Sequence, residues 1–368
     1  MFSFSTKIVL TTLLFFTAAA VNAQTPAPTP PPEEESERIF TEEIKLNVSA
    51  VDRDGKFFAG VKKEDLVIME DERLHQASSL RRVPANVLIV LDTGGTERRA
   101  KSFKQTLATA TSLINALQPE DSVAIMQYHD KVEIVAEWVS KAEALKILNT
   151  KANFGRRSVF INALDTATKF LQKTPLENRH LVLITDGTDT LNNLTDREKA
   201  MQNLLSTDIN VHIFSYTQME QVQIAPQTGR FKKGEPKPQR LPEEVIIALP
   251  REQQTMLRLP RLGSVVTDKE FLRKMKERQN DLIESEKYLA ALSRDTNGEI
   301  ISAVSNEEML EKTALVAGII DSSYVVTYAP KRPLSESKAG EIRNIEISSR
   351  RANLQVQARR KLMVRNEK

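Results

Sequence analysis

The chain of 368 residues has no cysteine, a single tryptophan and only four histidines. Without cysteine, disulfide scaffolds, thiolate zinc sites, iron–sulfur clusters and cysteine nucleophiles are excluded together. His75, His129, His180 and His212 are far apart and lack ligand spacing. That spacing argues against a histidine metal site, although distance in sequence does not forbid a cluster in space. No excess of one charge exists either: 52 Lys plus Arg face 49 Asp plus Glu, for a formal net charge of +3. A dedicated nucleic-acid binder, which neutralises many phosphates, is a poor match to that balance. What the chain does have is 40% hydrophobic and 27% charged residues, the composition of a folded protein with a buried core.

At the amino end, Lys7 precedes an apolar run over residues 8–21, and Val21-Asn22-Ala23 presents small residues where a signal peptidase reads. Residues 1–23 are therefore expected to be a secretory signal, with a secreted or periplasmic protein starting at Gln24. The run is shorter than the ~20 residues a membrane crossing needs. Residues 24–38, with five prolines and an acidic run, read as an extended linker.

Residues 39–84 alternate apolar and polar positions around Asp54-Gly55, a hairpin turn signal, and predict a small β module. From residue 85 the pattern changes. The continuous apolar run 86–91 reads as a strand buried on both faces, followed by a helix with Phe103, Leu107, Ala110, Leu113, Ile114 and Leu117 on one side. Strands at 122–128 and 132–138 are joined too tightly for a parallel crossover, so they predict an antiparallel hairpin. Further strands are expected at 180–185, 210–216, 299–304 and 323–328, with helices at 141–148, 159–172, 197–205, 282–294 and 307–320. This alternation predicts an α/β fold: an open, mostly parallel sheet with helices on both faces, spanning 85–330. Residues 221–280 break the rhythm with 13 Lys plus Arg against 7 Asp plus Glu. They are read as a basic, proline-rich insertion, whose end at 271–283 prolongs the next helix. Residues 331–368 are read as carboxy-terminal β strands, with a terminal strand in 354–364, that build the small β module together with the amino-terminal strands.

Two acidic loops follow strands: Asp92-Thr93-Gly94-Gly95-Thr96 and Asp186-Gly187-Thr188-Asp189. In an open α/β sheet, ligands bind beyond the carboxyl ends of the strands where strand order reverses. Carboxylates and hydroxyls there make an oxygen-rich site suited to hard cations. The order of elements, the hairpin after the first helix and these loops resemble a von Willebrand factor type A (VWA) domain with its metal-ion-dependent adhesion site. The likeness spans about residues 39–366 and includes Lys63-Glu64-Asp65-Leu66, as in secreted bacterial VWA-related proteins. It implies a Rossmann-like domain with one antiparallel edge strand. It also implies a metal site of Asp92, Thr96, Ser158 and Asp186, holding Mg²⁺ or Mn²⁺ in preference to Ca²⁺.

Gly94 stands where the family has a serine, so restoring that hydroxyl by Gly94→Ser is expected to raise cation affinity. A second reading of the loops has Asp92 and Asp186 only capping helix N-termini. Thr93, Gly94, Gly95, Arg156, Arg157, Thr188 and Asp189 are the expected partner-contacting positions, with Asp189 paired to Arg156 or Arg157. The function expected is non-enzymatic protein–protein interaction or adhesion, in which an acidic side chain of an unknown protein completes the cation's coordination. A metal-independent scaffold or assembly factor is the alternative. A hydrolase ranks last, since Ser158, Ser322 and Ser323 lack a GxSxG elbow and no histidine is placed as a base. Gly94-Gly95 lacks the spacing of a phosphate loop, and Trp138 reads as a packing residue.

Overall fold

A computed structural model describes residues 42–95, 103–173, 175–190, 194–228 and 269–364. The signal and linker segments lie outside these residues, as do Thr96 and residues 229–268 of the insertion. The first alternating segment forms β1 (Ile44–Val51), β2 (Leu66–Glu70), β3 (Arg73–His75) and β4 (Ser79–Arg81). The Asp54-Gly55 turn follows β1: Asp52 Oδ1 accepts the N–H groups of Asp54 and Lys56, both at 2.9 Å.

The α/β segment then runs β5 (Asn86–Asp92), α1 (Phe103–Ala116), β6 (Ser122–Tyr128), β7 (Val132–Val139), α2 (Lys141–Lys151), α3 (Phe160–Lys173) and β8 (Arg179–Thr185). It continues through α4 (Leu194–Leu205), β9 (Asn210–Ser215), α5 (Thr217–Thr228), α6 (Lys269–Asp295), β10 (Ile300–Ser302), α7 (Asn306–Glu311) and α8 (Thr313–Asp321). The chain closes with β11 (Ser323–Tyr328), β12 (Ile342–Ser349), β13 (Gln355–Ala358) and β14 (Lys361–Met363).

The central sheet has the order β10-β9-β8-β5-β6-β7. Its strands are parallel except β7, which pairs antiparallel with β6. Strand β5 is apolar at successive positions because both its faces are covered. Val87, Ile89 and Leu91 pack with Leu113, Ile114 and Val316 from α1 and α8, while Leu88 and Val90 pack with Phe160, Leu164 and Leu289 from α3 and α6. Trp138 stacks on Phe170 of α3, with ring centroids 5.7 Å apart.

Several features differ from the sequence reading, among them the expected helix 307–320, which is the two helices α7 and α8. Strand β11, expected beside the parallel strands, pairs antiparallel with β1 and β4 instead and belongs to the β module. Its burial on every residue looks the same whichever sheet receives it. Segment 354–364 is two strands rather than one, β13 beside β1 and β14 beside β12. The break falls at Arg359, which is buried and donates to the carbonyls of Lys361 and Leu205, both at 2.8 Å. Burial pushes its guanidinium down to about 10. The third core thus joins N- and C-terminal strands through Leu46, Ile68, Val326 and Ile345.

The stretch read as an insertion also begins and ends in helix: α5 covers 217–228, and α6 starts at 269, extending the expected helix toward its amino end. Among the described residues, no helix is long and apolar enough to cross a membrane.

Candidate functional site

Strand order reverses at β5, with β6 on one side and β8 on the other. In an open α/β sheet, the carboxyl ends of the strands at such a reversal are where a ligand site forms. Asp92 ends β5, Asp186 follows β8, and both are wholly buried. One Asp92 oxygen accepts the Thr185 hydroxyl at 3.1 Å. The other accepts the Gly94 N–H at 3.2 Å and lies 3.5 Å from Ser158 Oγ, which also donates to the Thr188 carbonyl at 3.1 Å. Asp186 Oδ1 accepts the N–H and the hydroxyl of Thr188 at 2.9 and 2.7 Å. Ser158 thus stands beside Asp92 and reaches the loop of Asp186 through the Thr188 carbonyl.

Two glycines shape these loops. At Gly187, φ is +66°, and a Cβ would stand 2.5 Å from Ser285 Oγ, so α6 packs directly on this turn. At Gly94, a Cβ would lie 1.7 Å from the Arg157 carbonyl oxygen and 2.8 Å from its carbon. The space a serine side chain would enter is filled by backbone. This overturns the expectation that Gly94→Ser adds a ligand: the substitution is expected to cost about 1–3 kcal/mol through overpacking. Urea unfolding of the variant checks this, and an unchanged midpoint together with a gain of Mn²⁺ affinity would contradict it.

A residue absent from the sequence reading completes the site. Arg278, on α6, donates from Nη2 to Asp186 Oδ2 at 3.1 Å and from Nη1 to the Thr188 hydroxyl at 3.1 Å. Its Nε and Nη2 also reach the two oxygens of Glu220, in the first turn of α5, at 2.7 and 2.8 Å. Burial alone would lower its pKa, but the Glu220 hydrogen bonds and the charges of Asp186 and Glu220 outweigh that and hold it above the ordinary arginine value. The same helix donates Ser285 Oγ to the Asp186 carbonyl and places Glu286 against the hydroxyls of Ser215, Thr217 and Ser302. No motif marks Arg278 in the sequence, because its partners come from two other elements, the loop after β8 and the start of α5.

The described residues do not fit the family's divalent cation. The Gly94 position offers no hydroxyl and no room for one, and Asp186 already carries a guanidinium within hydrogen-bonding distance. A divalent ion placed there would meet a like charge within a few ångströms.

Of the expected partner-contacting positions, Thr93, Gly94 and Thr188 are buried, and the Thr93 hydroxyl donates to the Tyr128 carbonyl at 3.2 Å, so they shape the loops from inside. Gly95 is half-buried at φ +94°. Asp189 is not paired with Arg156 or Arg157: its Oδ2 accepts the Ile161 N–H at 2.8 Å, capping α3. Arg156 and Arg157 are exposed, and their backbone N–H groups donate to Asp130 at 3.2 Å. These bonds, with the Arg157 charge, hold the Asp130 carboxyl below the usual range. Beside them Phe154 is 68% exposed, tilted against Phe103 at 6.0 Å. Sequence reasoning passed over Phe154, which sits in a short loop without periodicity.

Residues 87–188 match the sequence model of the von Willebrand factor type A domain. Among solved structures, a von Willebrand factor type A protein from Catenulispora acidiphila is 9% identical, with 89% of this chain and 74% of that chain covered at a TM-score of 0.41. The manganese-loaded TRAP protein of Plasmodium vivax is 11% identical, with 80% and 97% covered at a TM-score of 0.37. BatB from Bacteroides thetaiotaomicron is 18% identical, with 36% and 66% covered at a TM-score of 0.29. No curated protein matches.

Proposed function

We propose, on the premise that the chain carries a von Willebrand factor type A domain, that it is an exported interaction module recognising an acidic protein partner through the face of Phe154, Arg156 and Arg157. The observation that carries this reading is the exposed Phe154 ring flanked by two exposed guanidinium groups. Among the described residues, neither arginine side chain makes an ion pair. An apolar ring with adjacent arginines is the composition of an interface hot spot, where burial supplies affinity and charge supplies orientation. The β6–β7 hairpin holds the loop from behind through Asp130 and through His129, which lies 3.0 Å from Asn153. The backbone of the face is therefore set before a partner arrives, which lowers the ordering cost of binding.

Between adhesion through a bound cation and metal-independent recognition, the Arg278 ion pair supports the second. Export rests on the Lys7, apolar-run and Ala23 pattern. A photo-crosslinking residue at position 154 of the full chain, in the producing cell, tests the reading. A discrete adduct is expected, formed equally in the presence of a chelator and reduced about tenfold or more by Arg156→Glu with Arg157→Glu, as for loss of a hot-spot cluster. Absence of an adduct, or one indifferent to the charge reversal, would sink the assignment of this face.

A further inference from the structure

We infer that Asp186, Glu220 and Thr188 form a cation cradle that the chain fills with its own Arg278, so that this guanidinium takes the place of a bound ion. The Nη2 atom lies 3.1 Å from Asp186 Oδ2 and 2.8 Å from Glu220 Oε2, so two carboxylates from different elements converge on one nitrogen. The neighbouring Nη1 collects the Thr188 hydroxyl at 3.1 Å. Glu220 and Asp186 are almost fully buried, whereas the Arg278 side chain keeps 19% of its surface. Two buried carboxylates this close to one point need a positive charge between them, because neither can be left unpaired without a large desolvation cost. Arg278 supplies that charge permanently and in the fork geometry that carboxylates accept.

The cradle differs from the arrangement implied by the resemblance. It uses Glu220 at the start of α5 and makes no use of the Gly94 position. Its consequence is mechanical. One guanidinium ties the loop after β8, the start of α5 and the exposed length of α6 into a single unit, and no ion concentration governs whether that unit is assembled.

The test reads stability alone, so its outcome is separate from that of the partner reading. Thermal unfolding of the full chain is followed with Mn²⁺, with chelator, and in NaCl of matched ionic strength. The wild type is expected to melt at one temperature in all three. Arg278→Ala is expected to melt several degrees lower and to recover part of that loss in Mn²⁺ only, because the ion now bridges Asp186 and Glu220. Arg278→Lys, which keeps the charge without the fork, is expected to lie between the two and to show no Mn²⁺ effect. Adding Asp186→Asn to Arg278→Ala is expected to abolish the recovery. If Arg278→Ala does not fold, Arg278→Gln replaces it as the charge-free variant. An upward shift of the wild type in Mn²⁺ overturns the inference, as does a charge-free variant that folds and melts like the wild type or is indifferent to Mn²⁺.

Discussion

Replacing Arg343 with methionine is expected to lower the unfolding free energy by about 3–5 kcal/mol, the range for breaking a buried ion pair from one side. Arg343, on β12, is completely buried, and its Nη1 donates to Glu70 Oε1 of β2 at 2.6 Å. Nη1 and Nη2 also reach the carbonyls of Arg332 and Pro333, both at 2.9 Å, and Nη2 reaches the Ser337 hydroxyl. Glu70 is itself buried, so the truncation strands a carboxylate in the core of the β module and frees two carbonyls. The double replacement Arg343→Met with Glu70→Met removes both charges and should recover much of the loss, since apolar isosteres often match a buried pair. Urea unfolding of the two variants measures the difference. If the double variant is no more stable than Arg343→Met alone, the stranded charge is not the cause.

Acid should destabilise the protein through the two histidines that the fold brings together. His180 on β8 and His212 on β9 are fully buried and stacked, with ring centroids 5.3 Å apart. The Glu299 N–H donates to His212 Nδ1 at 3.3 Å, which places the His212 proton on Nε2, 3.1 Å from His180 Nδ1. His180 Nε2–H then donates to Asn178 Oδ1 at 2.9 Å. This chain, assigned from the hydrogen-bond pattern, is complete only when both rings are neutral. Burial pushes His212 from 6.5 to about 4, and burial with the neighbouring His212 pushes His180 well down.

A histidine whose folded pKa lies below its unfolded value is more readily protonated in the unfolded chain. The stability it contributes is present above pH 6.5 and is lost as pH falls toward about 4. For His212 alone the loss amounts to about 3 kcal/mol. Glu299, held above the usual carboxylate range by burial, acts in the opposite direction. Imidazole chemical shifts followed through a pH titration check the account. Both rings should stay neutral well below pH 6.5, and ordinary titration of either would refute it.

Much of the central domain was legible because burial on both faces leaves a plain mark. The runs 86–91, 122–128 and 180–185 each became a strand of the central sheet, and the short connection at 129–131 forced the antiparallel edge. Asp92 and Asp186 were legible for the same reason, since each directly follows such a run. What could not be read was pairing across long separations. Strand β11 carries the same apolar code as its parallel neighbours, and nothing local says that β1, far away in the chain, is its partner. Arg278 was hidden by its surroundings: it lies in a charged helix next to a proline-rich stretch, where one arginine among many has no distinguishing pattern. The Gly94 position was misread because sequence shows that a side chain is missing, whereas only the fold shows Arg157 occupying its place.

The central claim is that the carboxylates at the strand ends are held by the protein's own groups, with Arg278 as the cation at Asp186. A crystal structure of the wild-type chain grown in Mn²⁺, read by anomalous scattering at the manganese edge, tests it most directly. The account predicts Arg278 bonded to Asp186 and Glu220 and no anomalous peak beside Asp92 or Asp186. A manganese peak coordinated by these aspartates, with Arg278 turned away from them, would contradict it.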